Sequence, residues 1–509
     1  MFVKILMLVI FFAVMIGVGL YSRKATSSVD GFVLGGRSVG PWLTAFAYGT
    51  SYFSAVVFVG YAGQFGWKYG LASTWIGIGN AIIGSLLAWV ILGRRTRVMS
   101  QKLESKTMPD FFGSRFKSKS LKVVASIISF VFLVPYTASV YNGLSRLFGM
   151  AFDIPYAACV IIMAGITALY VILGGYMATA INDFIQGIVM LFGIVAVIAA
   201  VLSGQGGFIE AIRTMAEIPS DVPVTMGQPG AFTSFFGPDP LNLLGVVILT
   251  SLGTWGLPQM VHKFYAIKNE KAIKTGTIIS TLFAVVISGG CYFLGGFARL
   301  FDDPAIYNEA TGAVVYDSII PFMLSKLPDI LIGIVVVLVL SASMSTLSSL
   351  VLTSSSTLTL DCLKDNIIKK MDEKKQVRTM QVLIVFFIVV SVIIALDPPT
   401  FIAQLMGISW GALAGAFLAP FLYGLYWKGV TRAGVWAGFV SGVGITVSNM
   451  FLKYIASPIN AGAVAMLAGL IVVPVVSLIT PKMKKEEVDE IFTCYDESIT
   501  ITKKSSLEE

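Results

Sequence analysis

Long apolar runs separated by short polar connections fill almost the whole chain. A run of about 20 apolar residues can cross a bilayer as an α-helix, and the pattern predicts thirteen such spans. Arg23 and Lys24 follow the first run rather than precede it, so we expect a retained helix and not a secretory signal. The spans are centred on residues 3–21, 41–66, 70–92, 123–148, 155–175, 178–202, 241–263, 273–299, 328–360, 379–396, 400–427, 432–452 and 459–480.

Composition supports the same fold class. The chain has 509 residues, of which 56% are hydrophobic and 13% charged, and its mean hydropathy is +0.84. Too little polar surface remains for a soluble globule, so we predict an all-α polytopic membrane protein. Residues 1–480 form one transmembrane domain, and residues 481–509 are a short charged tail that we expect to be disordered.

The charges of the loops predict the orientation. Residues 93–122 carry nine Lys and Arg against two acids, and residues 361–378 carry six against four. Residues 203–240 and 299–317 each carry one Arg against four acids. Since cytoplasmic loops are rich in Lys and Arg, every other loop is cytoplasmic, which places the N-terminus outside and the C-terminus inside the plasma (cytoplasmic) membrane. The bilayer therefore explains the net charge of +8, and we expect no nucleic-acid partner.

The sequence has neither a large loop domain nor a catalytic motif that would indicate an enzyme. The longest predicted outside loop is under forty residues, and the sequence has no HExxH, G-x-S-x-G or P-loop motif. The four cysteines are scattered without metal-ligand spacing. We therefore predict a protein that is not an enzyme, with no metal other than a possible transported ion and no obligate protein partner.

Asp183 is the one acid well inside a predicted span, in "GGYMATAINDFIQG". Ionisable groups at membrane depth are costly and mark functional sites by default. Water or a helix N-terminus near the cytoplasmic end of the helix could also satisfy this carboxylate, so the residue alone leaves both interpretations open.

The ninth span is loaded with hydroxyls, twelve in the 21 residues from Ser341 to Asp361. Ala342, Ser345, Thr346 and Ser349 follow i, i+3, i+4, i+7 spacing and share one helix face. Sodium prefers oxygen ligands, and Ser345 with Thr346 could supply two. Many of the other hydroxyls are explained by bonds to their own helix or by close packing.

Two spans contain interruptions that could expose backbone carbonyls. The second has Gly49, Thr50, Ser51 and Ser54 within "AFAYGTSYFSAVVFVG", and the seventh has glycines and a proline within "LTSLGTWGLPQMV". They lie five spans apart. Interrupted helices at corresponding positions of two inverted halves indicate the midplane site of a transporter.

The chain resembles the sodium/solute symporter family, which includes sodium/proline, sodium/glucose and sodium/iodide carriers. The resemblance covers nearly the whole chain and is carried by "GGRSVGPW", "GGYMATAINDFIQG", "ASMSTLSS" and "LAPFLYGLYWKGVTRAGVWAGFVSG" in that order. It implies a five-plus-five inverted-repeat core, with a first repeat at about 41–202 and a second at about 241–427, one extra helix before the core and two after it.

The resemblance also implies a sodium site and a sodium-coupled symporter. The ligands carried over by position are the carbonyls of Thr50, Phe53 and Ala342 and the hydroxyls of Ser345 and Thr346. Asp183 matches a position near a further sodium site or the exit path of the ion. Ala342, where some members carry serine, places a complete second site in doubt.

The predicted solute site draws on the interrupted helices and their neighbours. Its motif "TWGLPQMVHKFYAIKNEKAIKTG" is more similar to the monocarboxylate and pantothenate branch than to the proline carriers. We therefore expect a small organic solute, a monocarboxylate, a pantothenate-like acid or an amino acid, to be imported with sodium by alternating access. The candidate contacts are Tyr52, Ser54, Val57, Tyr136, Thr250, Thr254, Trp255 and Gln404.

Two alternatives stay open at this stage. A proton-coupled carrier of the same solutes could use Asp183 as the titrating group, and a passive channel would move solute without regard to the sodium gradient. Replacement of sodium by choline separates the first from a sodium symporter. The sequence does not specify the number of sodium ions or the oligomeric state.

Overall fold

The computed structural model describes residues 2–23, 28–152, 154–364, 366–368 and 371–499. Within these residues the chain folds into twenty α-helices. They are α1 (Phe2–Tyr21), α2 (Val29–Leu34), α3 (Pro41–Tyr52), α4 (Ala62–Tyr69), α5 (Thr74–Gly79), α6 (Arg94–Lys102), α7 (Met108–Arg115), α8 (Lys119–Phe152), α9 (Tyr156–Gly204), α10 (Phe208–Glu217), α11 (Pro240–Leu252), α12 (Pro258–Tyr265), α13 (Glu270–Gly295), α14 (Tyr316–Ser325), α15 (Asp329–Thr357), α16 (Glu373–Leu396), α17 (Ile402–Tyr426), α18 (Arg432–Leu452), α19 (Pro458–Ile479) and α20 (Lys485–Phe492).

Wider π-helical turns extend several of these helices. Such turns are often found at functional sites because they locally disturb the regular hydrogen-bond ladder. Val56–Tyr61 precedes α4, Asn80–Leu87 and Trp89–Gly93 join α5 to α6, and Leu358–Leu363 follows α15.

Eleven helical segments of the described chain are long and apolar enough to cross a membrane. The all-helical, polytopic membrane fold is therefore confirmed. The two longest segments, Val56–Lys102 and Tyr156–Gly204, have 47 and 49 residues, and each includes a glycine with positive φ, Gly70 at 60° and Gly175 at 54°. Glycine adopts this geometry without a Cβ clash, so the chain can turn there. The predicted boundaries between spans lie at these two positions, and the count of thirteen crossings stays a prediction.

The hydroxyl-rich helix α15 lies at the centre of the bundle. It packs against α3, α8, α9 and α16, and every residue from Ser341 to Thr357 is buried. Small side chains permit this, because they let neighbouring backbones approach closely in a bilayer, where packing rather than hydrophobicity holds helices together.

The expectation of a disordered tail is wrong for the part that the structure describes. Residues 485–496 form α20 and a further helical turn that packs on α6. Arg94 donates to the carbonyl of Tyr495 at 3.2 Å, and the guanidinium of Arg95 lies 4.3 Å from the centre of the Tyr495 ring. Cys494 is fully buried. Residues 500–509 lie outside the described chain.

Candidate functional site

The break predicted in the second span is present between α3 and α4. α3 ends at Tyr52, and Phe53 takes an extended conformation (φ −111°, ψ 103°). Ser54 then accepts a hydrogen bond from the N–H of Val56 at 3.2 Å through its own side chain, which starts the next helical turn. The last carbonyls of α3 thereby lose the helical donors that would otherwise cover them. We call residues 41–69 the first broken helix.

Two hydroxyls of α15 face this break. Ser345 Oγ and Thr346 Oγ1 donate to the carbonyl oxygen of Thr50 at 3.0 and 3.3 Å. Both also reach the carbonyl of Ala342, at 3.0 and 3.1 Å. Thr346 lies 3.4 Å from the carbonyl of Ser51 as well. Four of the predicted sodium ligands, Thr50, Ala342, Ser345 and Thr346, are therefore together across the α3–α15 contact.

This oxygen cluster has the chemistry of a sodium site. All four residues are buried, with at most 2% of each exposed, and their oxygens are hard ligands, the kind that hard cations prefer. A hydroxyl can rotate to present a lone pair where it now donates a proton. Phe53, the fifth predicted ligand, lies at the break itself, and it lines with Ala342 a cavity of about 10 Å³, which has room for one water at most.

Asp183 lies beside this cluster and is paired with a lysine. Its Oδ2 is 3.6 Å from Nζ of Lys263, and both side chains are almost fully buried. One turn along α9, a Cβ on Gly187 would come within 3.1 Å of the Thr50 side chain, so α9 packs tightly on the first broken helix here. No bond between Asp183 and the oxygens of the sodium cluster is present among the described residues.

Lys263 connects the acid to the hydroxyl stripe. Its ammonium donates to Ser349 Oγ at 2.9 Å, and Ser349 shares a 2.7 Å hydrogen bond with Ser51 of the first broken helix. This role of Lys263 was not predicted from the sequence. The signal was present, since Lys263 is a basic residue at the edge of a predicted span and a buried carboxylate needs a partner.

The second predicted break is also present. α11 ends at Leu252, a tight turn covers Gly253–Trp255, and α12 resumes at Pro258. Tyr52 of the first broken helix donates to the carbonyl of Thr250 at 2.5 Å, which joins the two broken helices directly. We call residues 240–265 the second broken helix.

Several predicted solute contacts meet near this junction. Thr254 donates to the carbonyl of Gly84 at 3.2 Å, and the indole of Trp255 donates to the carbonyl of Ile83 at 2.9 Å. Thr250 instead returns its hydroxyl to its own helix, at the carbonyl of Val246. The side chains of Thr254 and Trp255 thus hold the second broken helix to residues 80–87.

An aromatic group extends the same region. The Tyr52 ring stacks on Phe53 with centroids 4.2 Å apart and lies 6.2 Å from Trp410 of α17. Tyr136 meets Trp410 edge-on at 5.9 Å. Within the described chain, Tyr136 Oη and Trp410 Nε1 are buried and make no hydrogen bond of regular geometry, while the Tyr136 hydroxyl lies near the Ser54 and Trp410 side chains. Trp410 was not among the contacts predicted from the sequence, because "ISWGALAG" resembles an ordinary packing segment.

The remaining candidates are Ser54, Val57 and Gln404. Ser54 lines the 10 Å³ cavity, and Val57 is buried in the π-helical turn that follows the break. Gln404 is half-buried, accepts a hydrogen bond from Thr400, and lines a cavity of about 630 Å³ that also includes Arg299. The structure therefore does not place Gln404 with the aromatic group.

The chain is similar in sequence to known symporters. The sequence model of the sodium:solute symporter family matches residues 32–442. The chain is 30% identical over 506 residues to sodium/proline symporters of several Staphylococcus aureus strains, covering 94% of this chain and 93% of the relative.

Two solved structures share the fold. A sodium-coupled sialic acid symporter in a substrate-bound, outward-open state matches with a TM-score of 0.73 and 16% identity, covering 95% of this chain and 99% of that one. A nucleobase-cation-symport-1 family transporter in a closed conformation matches with a TM-score of 0.54 and 14% identity, covering 91% and 98%. The predicted likeness to the monocarboxylate and pantothenate branch stays a prediction.

Proposed function

We propose that this chain, which belongs to the sodium:solute symporter family, imports a small organic solute with sodium by alternating access. The observation that carries the proposal is the contact of the Ser345 and Thr346 hydroxyls, at 3.0 and 3.3 Å, with the carbonyl of Thr50 beside the helix break. The neutral hydroxyl and carbonyl oxygens there suit a cation that must bind and then leave.

Sodium at this cluster would link the first broken helix to α15. Ligands on two separate elements make binding depend on how those elements are placed, so sodium favours the conformations in which they meet. The solute region is built on the same broken helix, through Tyr52 and Ser54. Each ligand therefore favours the state that binds the other, and linkage makes this coupling reciprocal. One positive charge moving through 100 mV supplies about 2.3 kcal/mol toward uptake.

The proposed solute is a monocarboxylate, a pantothenate-like acid or an amino acid. The predicted contacts Tyr52, Thr254, Trp255 and Tyr136 are aromatic or neutral polar groups, which suits a small ligand with an apolar body. A carboxylate could pair with the bound sodium, since the contact set includes no basic side chain. Proline is the first amino acid to test, because the relatives that cover the chain are sodium/proline symporters.

The proposed orientation places the N-terminus outside and the C-terminus in the cytoplasm. Two contacts support it. The tail packs on Arg94, at the start of the basic 93–122 loop. Lys4 of α1 pairs at 3.0 Å with Asp329, which follows the acidic 299–317 loop. The described part of the tail thus lies with the basic loop, and the start of α1 lies on the side of the acidic loop.

Uptake into proteoliposomes tests the proposal. Purified protein is reconstituted, and accumulation of radiolabelled proline, pantothenate and short monocarboxylates is followed with an inward gradient of sodium or of choline. We expect one solute class to accumulate only with sodium, and Thr346→Ala to abolish that accumulation. Accumulation with choline and an inward proton gradient would favour the proton-coupled alternative. Equilibration without accumulation under every gradient would indicate a passive channel.

A further inference from the structure

The buried ion pair between Asp183 and Lys263 lies on the edge of the proposed sodium cluster. Lys263 Nζ is 3.6 Å from Asp183 Oδ2 and donates to Ser349 at 2.9 Å. It also lies 5.3 Å from the centre of the Tyr176 ring, which adds a cation–π contact. The ammonium is thus held by a carboxylate, a hydroxyl and an aromatic face.

These are the surroundings that a second transported cation would need. Ser349 belongs to the same face of α15 as Ser345 and Thr346, and its hydroxyl is bonded to Ser51 of the first broken helix at 2.7 Å. Ala342 on that face has no hydroxyl to offer. Lys263, on α12, places its positive charge beside the carboxylate of Asp183, on α9. The charge of Asp183 is therefore balanced without an ion from solution.

Charge balance limits what else can bind there. Asp183 and Lys263 are exposed by no more than 2%, and a charge removed from water in this way needs an opposite charge beside it. A further sodium ion at Asp183 would leave one positive charge uncompensated next to the ammonium. Sodium at the Thr50, Ser345 and Thr346 oxygens does not need that carboxylate.

We propose that the ammonium of Lys263 acts as a tethered cation that takes the place of a second sodium ion at Asp183, so that the protein binds one sodium ion per transport cycle. The inference rests on the proposed sodium symport. In this arrangement Asp183 is not a sodium ligand. The ion pair instead joins α9 to α12, and the hydrogen bond from Lys263 to Ser349 holds both to α15, while the mobile ion binds one turn away.

Equilibrium binding of radioactive sodium to the purified full-length protein in detergent tests the inference without knowledge of the solute. We expect one sodium ion per wild-type chain and one for Lys263→Arg, which keeps the charge. Lys263→Ala leaves the carboxylate of Asp183 unpaired, and we expect it to bind a second sodium ion.

The double variant Asp183→Asn/Lys263→Met covers the case in which Lys263→Ala does not fold. It removes both charges, and the net charge of the pair stays zero. We therefore expect it to bind one sodium ion with a Kd within about threefold of wild type. Two ions bound to the wild type, one ion bound to folded Lys263→Ala, or loss of sodium from the double variant would each overturn the inference.

Failure of the proposed function has a different signature. Thr346→Ala removes a hydroxyl of the sodium cluster and leaves the ion pair intact. A wild-type protein that binds no sodium, and behaves as Thr346→Ala does, refutes sodium symport and the inference with it. A wild-type protein that binds two ions refutes the inference alone.

Discussion

Asp317 is a buried carboxylate outside the membrane-spanning helices, at the start of α14. Only 1% of the residue is exposed. Its Oδ2 accepts a hydrogen bond from the N–H of Ile402, at the start of α17, at 3.2 Å and lies 4.0 Å from Nε of Arg146. Burial raises the pKa of this carboxyl from 3.8 to about 6, against the opposing effects of Arg146 and the N–H.

The sign of the resulting pH dependence follows from proton linkage. Between pH 3.8 and about 6 the folded protein keeps a proton that the unfolded chain has released, so the free energy of unfolding falls as the pH rises. A shift of about two pKa units, at about 1.36 kcal/mol per unit, corresponds to about 3 kcal/mol lost at neutral pH. At pH 4.5 the same linkage leaves a loss of about 1 kcal/mol.

Asp317→Asn tests this reasoning, since an amide can still accept the N–H of Ile402 but cannot ionise. We expect the melting temperature of the variant in detergent to exceed that of wild type at pH 7.5. At pH 4.5 this excess should be at most about half as large. Asp303→Asn, at the half-buried N-cap of a short helical turn, is the matched control and should change little. A variant that melts below wild type at pH 7.5, with an unchanged pH slope, would refute the reasoning.

Three further predictions concern packing, the tail and the solute. A Cβ on Gly66 would lie 1.8 Å from the carbonyl oxygen of Gly295, so Gly66→Ala should lower stability by about 1–3 kcal/mol or more in a detergent melt, whereas Gly165→Ala, with open space around it, should not. Tyr495→Ala should release the tail and speed its cleavage by trypsin, while Tyr495→Phe, which keeps the ring over Arg95, should stay close to wild type; equal cleavage would contradict the docking. Trp410→Phe removes a buried N–H donor and should raise the KM for the transported solute by about tenfold if that donor meets it; an unchanged KM would exclude the contact.

Local patterns predicted the helical part of the site well. Glycine, proline and hydroxyl residues disturb an apolar helix wherever they occur, so the two breaks could be located from the sequence. Helical spacing alone places Ser345 and Thr346 on one face, and a helix this long and buried has to present that face to a neighbour. The family resemblance, not the spacing, named Thr50 as their partner, and the structure brings both hydroxyls to its carbonyl.

Contacts between distant segments were harder to predict. Asp183 and Lys263 lie on different helices, and nothing local states that α9 and α12 bring them within 3.6 Å. Trp410 is surrounded by small residues that give no sign of the Tyr52 and Tyr136 rings beside it. The tail misled for a related reason, since its charges indicate disorder while its few buried residues, such as Cys494, find their partners only in the folded bundle.

The most direct test of the central claim is sodium-specific stabilisation of the purified protein. Its melting temperature is measured in sodium and in potassium at equal ionic strength, for wild type, Thr346→Ala and the same-helix control Thr353→Ala. An ion that binds only the folded state at about 100 times its Kd stabilises it by about 2.7 kcal/mol. We predict a rise with sodium for wild type and Thr353→Ala that Thr346→Ala abolishes. Equal melting of the wild type in the two salts would contradict sodium binding at this cluster.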